Sequence, residues 1–258
     1  MSDFFTVSVI VATIASGIRL ATPYLFAALG ETVGQRSGVL NLGVDGVMLL
    51  GAFFAHWTAL ETGNLWLAVL AGMFTGLVMG VIYAVITLYF KAQQGISGIG
   101  IFLFGLGFSD LLSQELVGAI QPIRKLPSLA KLPLVGGIFE PLEDIKYLGE
   151  LLFSHNLMTY IAFALVPLVT WMMNNTTFGL NIKAVGENPQ AADSLGVSVE
   201  RTRFFAILIG NTLAGLAGAT LSLQLGVFQQ NLTNGLGFIA VALVYFGAWR
   251  AKWVMAGA

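Results

Sequence analysis

The 258-residue chain contains no cysteine, so disulfides, thiolate zinc sites and thiol chemistry are excluded together. Its two histidines, His56 and His155, are too few for a histidine-rich metal site. Charged residues make up 10% of it, against about 25% in a soluble domain. Twelve basic and thirteen acidic side chains leave a formal charge of −1, so no basic face is offered to nucleic acid. No long polar or Pro/Ser-rich tract points to disorder. No G-x-x-x-x-G-K-[ST] loop is present to cradle a nucleotide phosphate, so the chain does not itself bind ATP in that way. What it has instead is apolar length. With 57% hydrophobic residues and a mean hydropathy of +0.84, it reads as an integral membrane protein.

A helix crossing roughly 30 Å of hydrocarbon needs about 20 mostly apolar residues. Seven blocks approach that length: Phe4–Leu29, Val39–Trp57, Leu65–Phe90, Ile96–Ala119, Leu151–Met173, Phe204–Phe228 and Phe238 onward. The expected fold is therefore an all-α polytopic bundle occupying residues 1–258 as one transmembrane domain. The first block lacks the basic start of a cleaved signal peptide, since Asp3 is its only charge before Arg19. Arg19 must either snorkel to an interface, with the span starting nearer Leu20, or face a polar interior.

Basic residues in short loops mark the cytoplasmic side. Arg36, Lys91, Lys183, Arg201, Arg203, Arg250 and Lys252 fall on one side; Arg124, Lys125, Lys131 and Lys146 fall on the other, all within 121–150. The first side is expected to be cytoplasmic and the 121–150 loop external. The 174–203 loop is then cytoplasmic. Within it, Asn188 can cap a short helix, Pro189 suits its first position, and Gly196 suits a left-handed end. Ser198 can cap the following span, with Glu200 favourable to its dipole.

Glycines at 72, 76 and 80, and again at 215 and 218, are spaced for close helix contact. Polar residues within apolar blocks call for a reason. Asn41 and Asp45, four apart with glycines at 38, 43 and 46, suggest one polar helical face on a weakened helix that borders a substrate path. An Asn–Asp pair that merely ties neighbouring helices is the alternative. Asp110 with Ser109 and Glu115, and Asn211 with Gln224, are more often interhelical ties. A serine-protease reading of Gly95-Ile-Ser97-Gly98 fails on topology, because Ser97 starts its span at the cytoplasmic side and both histidines lie at the external side. No catalytic and no metal residue is expected.

Three segments together carry a resemblance. Arg19-Leu-Ala-Thr-Pro23, Gly30-Glu31 and Arg36-Ser-Gly-Val-Leu-Asn-Leu-Gly-Val-Asp-Gly-Val-Met-Leu-Leu-Gly51 resemble the opening of bacterial ABC-transporter permeases of the branched-chain amino acid, ribose and simple-sugar family. Lys183-Ala-Val-Gly-Glu-Asn-Pro-Gln-Ala-Ala192, followed by Gly196, resembles that family's coupling loop, which docks into the ATPase subunit. Gly235-Leu-Gly-Phe-Ile-Ala-Val-Ala-Leu-Val244 with Phe246-Gly-Ala-Trp249 is similar to its late segment. The form of the first segment is closest to the subgroup importing nucleosides.

The resemblance implies a permease subunit of an ATP-driven importer in the bacterial cytoplasmic membrane, not itself an enzyme. A separate ATPase chain would hold ATP and Mg²⁺. A second permease and a periplasmic or lipoprotein substrate-binding protein would complete the assembly. Cargo would be a nucleoside, with ribose or another simple sugar as the alternative; a secondary carrier without an ATPase is the alternative of another class. Coupling falls to Gly186, Glu187, Asn188, Pro189, Ala191, Ala192 and Gly196. Asn41, Asp45 and Asn211 are the candidates for the substrate path. The family's further membrane helix beyond Ala258 implies a chain truncated at its C-terminus. Asp110 has no counterpart in the resemblance.

Overall fold

A computed structural model describes residues 7–128 and 149–258; most of the charged 121–150 loop lies outside the described residues. Among the described residues, five helices are long and apolar enough to cross a membrane, Val9–Arg36, Leu65–Tyr89, Gln94–Val117, Leu157–Asn175 and Val199–Leu225. The first, α1 (Val7–Arg36), runs unbroken through Pro23. Next come α2 (Val44–Thr62) and α3 (Leu65–Ala84), the latter continued by a wider turn at Val85–Tyr89. Then follow α4 (Gln94–Leu112), similarly extended by Ser113–Val117, and α5 (Leu157–Asn175). Two short helices, α6 (Thr177–Glu187) and α7 (Pro189–Ser194), precede the long α8 (Val199–Leu225). The chain ends in α9 (Leu236–Phe246) and α10 (Ala251–Gly257).

The bundle is organised around α8. In its most apolar stretch 67% of residues are buried, against 22% in α4. Small residues make this possible, because lipid gives apolar helices no drive to associate except close packing. A Cβ on Gly30 of α1 would lie 2.6 Å from the Gly210 carbonyl, and one on Gly51 of α2 would lie 2.6 Å from the Gly215 carbonyl. Gly72 and Gly76 of α3 face the same stretch of α8, against Ala219, Asn211 and Gly215. The glycine spacing is thus a four-helix seam with backbones in contact. Outward from it, α3 and α4 present Leu70, Phe74, Ile99, Leu103 and Phe104 as an exposed apolar wall, the surface a lipid bilayer covers.

Three of the seven expected blocks break differently: in Leu151–Met173 the long helix starts only at Leu157, where Asn156 Oδ1 accepts from the Thr159 N–H. The Val39–Trp57 block becomes helix only at Val44, because Gly38 (φ 82°) closes α1 in the left-handed region and residues 37–43 fold as a turn. The block from Phe238 onward is two short helices, α9 and α10, parted by Ala248 (φ 47°) and Trp249 (φ 55°). Arg19 is exposed midway along α1, its Nη2 donating to Ser16 Oγ at 3.1 Å. At about 1.5 Å per residue it stands roughly 25 Å from Arg36, so α1 reaches past the hydrocarbon and both arginines sit near its edges.

Basic residues gather at the two ends as the loop counts require. At one end Arg36, Lys183, Arg250 and Lys252 line a cavity of ≈ 470 Å³, and Lys91 and Arg203 line a groove of ≈ 750 Å³ beside α7. At the other end Arg19, Arg124 and Lys125 line a cavity of ≈ 810 Å³ with Asn156 and Gln224.

Candidate functional site

The 174–203 segment is assembled from local caps. Thr176 Oγ1 accepts from the Gly179 N–H at 3.1 Å and starts α6, a helix inside the expected 174–203 loop. Ile182 and Val185, three apart, bury its inner face; that spacing after Thr176 was the signal available. Asn188 Oδ1 accepts from the Ala191 N–H at 3.0 Å, with Pro189 at the first position of α7, and Gly196 (φ 84°) ends it. Ser198 Oγ accepts from the Arg201 N–H at 3.4 Å at the head of α8. Ala192 anchors α7 by burial, while Gln190, Ala191 and Leu195 are exposed, Leu195 at 84%. Arg36 and Glu187 approach at 3.6 Å. Gly186 lies against the Arg36 carbonyl with no room for a Cβ. Hence α7 is a short exposed knob between two longer helices, and Gly186 and Glu187 just before it lie against the end of α1.

The three candidate path residues are all buried, Asn41 at 4%, Asp45 at 1% and Asn211 at 2% exposure. They do not form one group. Asn41 precedes α2, so it shares no helical face with Asp45; its Oδ1 accepts from the Gly43 N–H at 2.8 Å, a local turn that competes with helix. Its Nδ2 donates to Asn211 Oδ1 at 3.0 Å, and Asn211 Nδ2 donates to the Ile207 carbonyl at 2.9 Å. Asp45 instead accepts from Thr233 Oγ1 at 2.9 Å and from the Gly237 N–H at 2.7 Å, holding the start of α9. Asn41 thus joins the 37–43 turn to α8, and Asp45 joins α2 to α9. None of the three cavities above is lined by them.

Sequence reasoning missed the side chains around that turn. Glu31 is buried beside the Asn41 backbone and accepts from Gln35 Nε2 at 3.2 Å, while Gln35 Oε1 accepts from Trp249 Nε1 at 3.0 Å. Tyr83, Gln94 and Arg203 also reach the turn. Glu31 and Gln35 are four apart on one helix, but no spacing rule links Trp249 to Gln35, or Tyr83, Gln94 and Arg203 to the turn, since these partners are distant in the chain. Asp110 is half-buried, accepting from Gln114 on its own helix and from Gln230 in the loop after α8, each at 3.0 Å, so it ties α4 to that loop and not to another helix. Ser97 donates to the Gln93 carbonyl at 2.8 Å in the first turn of α4, whereas His155, next to Asn156 of the cavity that Arg19 lines, lies at the opposite end. Ser97 and His155 therefore form no pair.

Among the described residues, no group of three or more histidine, cysteine, aspartate or glutamate side chains could hold a metal. The model of the family described as "branched-chain amino acid transport system / permease component" matches residues 13–258. Among curated proteins, TsgC13 of Haloferax volcanii, provisionally named a glucose ABC transporter permease, is 37% identical over 93% of this chain and 72% of its own. The guanosine ABC transporter permease protein NupQ of Bacillus subtilis is 33% identical over 89% of this chain and 73% of its own. The nucleoside ABC transporter permease protein NupC of Lactococcus lactis is 29% identical over 92% of this chain and 75% of its own. No solved structure matches.

Proposed function

Because the chain belongs to the branched-chain amino acid transport permease family, we propose that it is the membrane-spanning subunit of an ATP-driven nucleoside importer. It is a multi-pass membrane protein, in bacteria of the inner membrane. ATP and Mg²⁺ sit on a separate ATPase chain. A second permease of the same kind completes the path, and a periplasmic or lipid-anchored binding protein delivers cargo to the external face.

The observation that carries this reading is α7, a short, doubly capped helix exposed between two longer helices at the basic end of the bundle. Such a knob transmits a push from a docked partner without bending. Gly186 and Pro189 shape the segment, Glu187 and Asn188 make its polar contacts, and Ala191, Ala192 and Gly196 complete it. Asn41, Asp45 and Asn211 become available to cargo only when α2 parts from α8 and α9. In the closed arrangement their hydrogen bonds are all internal. Replacing Glu187-Asn188-Pro189 by three alanines is expected to abolish ATPase association and uptake while the chain still inserts. If both survive, α7 is not the coupling element.

The nucleoside assignment is supported by NupQ and NupC, and the 37% identity to TsgC13 favours a sugar as the second reading. Uptake of labelled guanosine and adenosine against ribose and glucose, in cells with and without the intact gene, separates them. Loss of nucleoside uptake alone supports the first; loss of sugar uptake alone supports the second. Uptake that persists after deletion of the partner ATPase gene overturns both in favour of a secondary carrier.

A further inference from the structure

The turn at residues 37–43 is held in an unusual way. The end of α1 takes its first N–H groups, but the Ser37, Gly38 and Leu40 carbonyls and the Leu40 N–H are satisfied by side chains from other elements. The Ser37 carbonyl accepts from Arg203 Nε at 3.1 Å, from the first turns of α8. Gln94, opening α4, reads the turn twice: its Oε1 accepts from the Leu40 N–H at 3.0 Å, and its Nε2 donates to the Gly38 carbonyl at 3.4 Å. Tyr83 of α3 is fully buried and its hydroxyl lies 2.8 Å from the Leu40 carbonyl and 3.2 Å from the Gln94 carbonyl. Three helices therefore grip a loop that has no regular structure of its own.

The two faces of the same turn look in different directions. Its outer face meets the α6–α7 segment: a Cβ on Gly38 would lie 3.1 Å from Arg203 Nη2 and 3.7 Å from Gly186 Cα. Its inner face carries Asn41, bonded to Asn211 in the middle of α8. Ser37 and Val39 between them are buried, leaving no slack for one face to move while the other stays.

We infer that the 37–43 turn is a mechanical relay between the α6–α7 segment and the seam of α2 with α8, with Arg203 and Gln94 as its positioning residues. A displacement at Gly186 and Glu187 reaches the turn through Arg36, Gly38 and Arg203, and leaves it through Asn41. The hydrogen bonds can be exchanged for others, so the turn has discrete arrangements and does not merely stretch. In the assembled transporter this relay rests on the coupling role proposed for α7; within the chain alone it does not.

The absence of cysteine supplies the reporter. Ala214, buried one turn beyond Asn211, is replaced as Ala214→Cys, and its rate of maleimide labelling reads the opening of the seam. In the purified chain without any partner, Gly186→Ala pushes on the outer face only. It is expected to raise labelling at position 214 by about tenfold, a typical coupling between linked sites. Adding Gln94→Leu or Arg203→Gln should remove that response, and Arg203→Lys, which keeps one donor for the Ser37 carbonyl, should restore most of it. A Gly186→Ala response that persists in both Gln94→Leu and Arg203→Gln, or no response at all in a folded chain, overturns the relay. In the assembled complex, ATP with vanadate should change labelling in the parent and not in Gln94→Leu. A relay intact in the chain alone, with no ATP effect in the parent complex, would reject the coupling role of α7 and leave the relay standing.

Discussion

The α6–α7 segment and the 37–43 turn lie against each other, yet they satisfy their polar groups by opposite means. In the segment every cap is local: Thr176 to Gly179, Asn188 to Ala191 and Ser198 to Arg201 are each three residues apart. In the turn and the adjoining α2, beside local bonds such as Gly43 to Asn41 and Ser37 to Gly34, the bonds that reach other helices are remote: Ser37 with Arg203, Asn41 with Asn211, and Asp45 with Thr233 are separated by 166, 170 and 188 positions. Local caps keep their geometry wherever the segment goes, which suits the coupling role proposed for it. Remote bonds exist only in one arrangement of the helices, which suits an element that records that arrangement.

Breaking a remote bond should cost the most. Asp45→Ala leaves the Thr233 hydroxyl and the Gly237 N–H buried without an acceptor and should destabilise the bundle by about 3 kcal/mol. Thermal unfolding in lipid nanodiscs measures it; a midpoint equal to the parent's would show that α9 is held by packing alone. Breaking a local cap should cost less and stay local. Asn188→Ala should weaken α7 by about 1 kcal/mol, as a lost cap does, while Asn188→Asp keeps the acceptor. Uptake should fall in the first and not in the second, with thermal midpoints the same in both.

The smallest effect belongs to His155, which combines both modes. Its Nε2 lies 2.9 Å from the Leu151 carbonyl four residues away, but burial, aided by the remote Arg19, pushes its basicity down. The unfolded chain then takes up the proton first as pH falls, so stability is intact above the ordinary imidazole range of about 6.5 and declines below it. A His155→Gln variant should lose that slope, as seen in unfolding midpoints between pH 7.5 and about 5. An identical slope in the variant would assign the dependence to another group.

The same contrast decides what could be read from the sequence. The caps of α7 and α8 were legible at Asn188, Pro189, Gly196 and Ser198, because donor and acceptor are near neighbours. The Gly72, Gly76 and Gly80 stripe was legible as a packing face. Its partner was not, since nothing in α3 specifies Asn211 and Gly215 over another small-residue run. Asn41 and Asp45 were rightly singled out as costly polar groups. Placing them on one helical face assumed a helix that Gly38 and the Asn41 side chain in fact prevent. Gln94 and Tyr83 carried no signal at all, because their role is to answer backbone groups exposed by that interruption.

The seam built on α8 has a consequence for synthesis. Helices α1, α2 and α3 leave the ribosome first, with glycine faces shaped for a helix that comes much later in the chain. At about 5–20 residues per second, that partner arrives on the order of ten seconds behind them. Throughout that interval Asp45 lacks Thr233 and Asn41 lacks Asn211. A nascent permease must therefore shelter α2, against its neighbours or against the insertion machinery, until α8 is threaded among its predecessors.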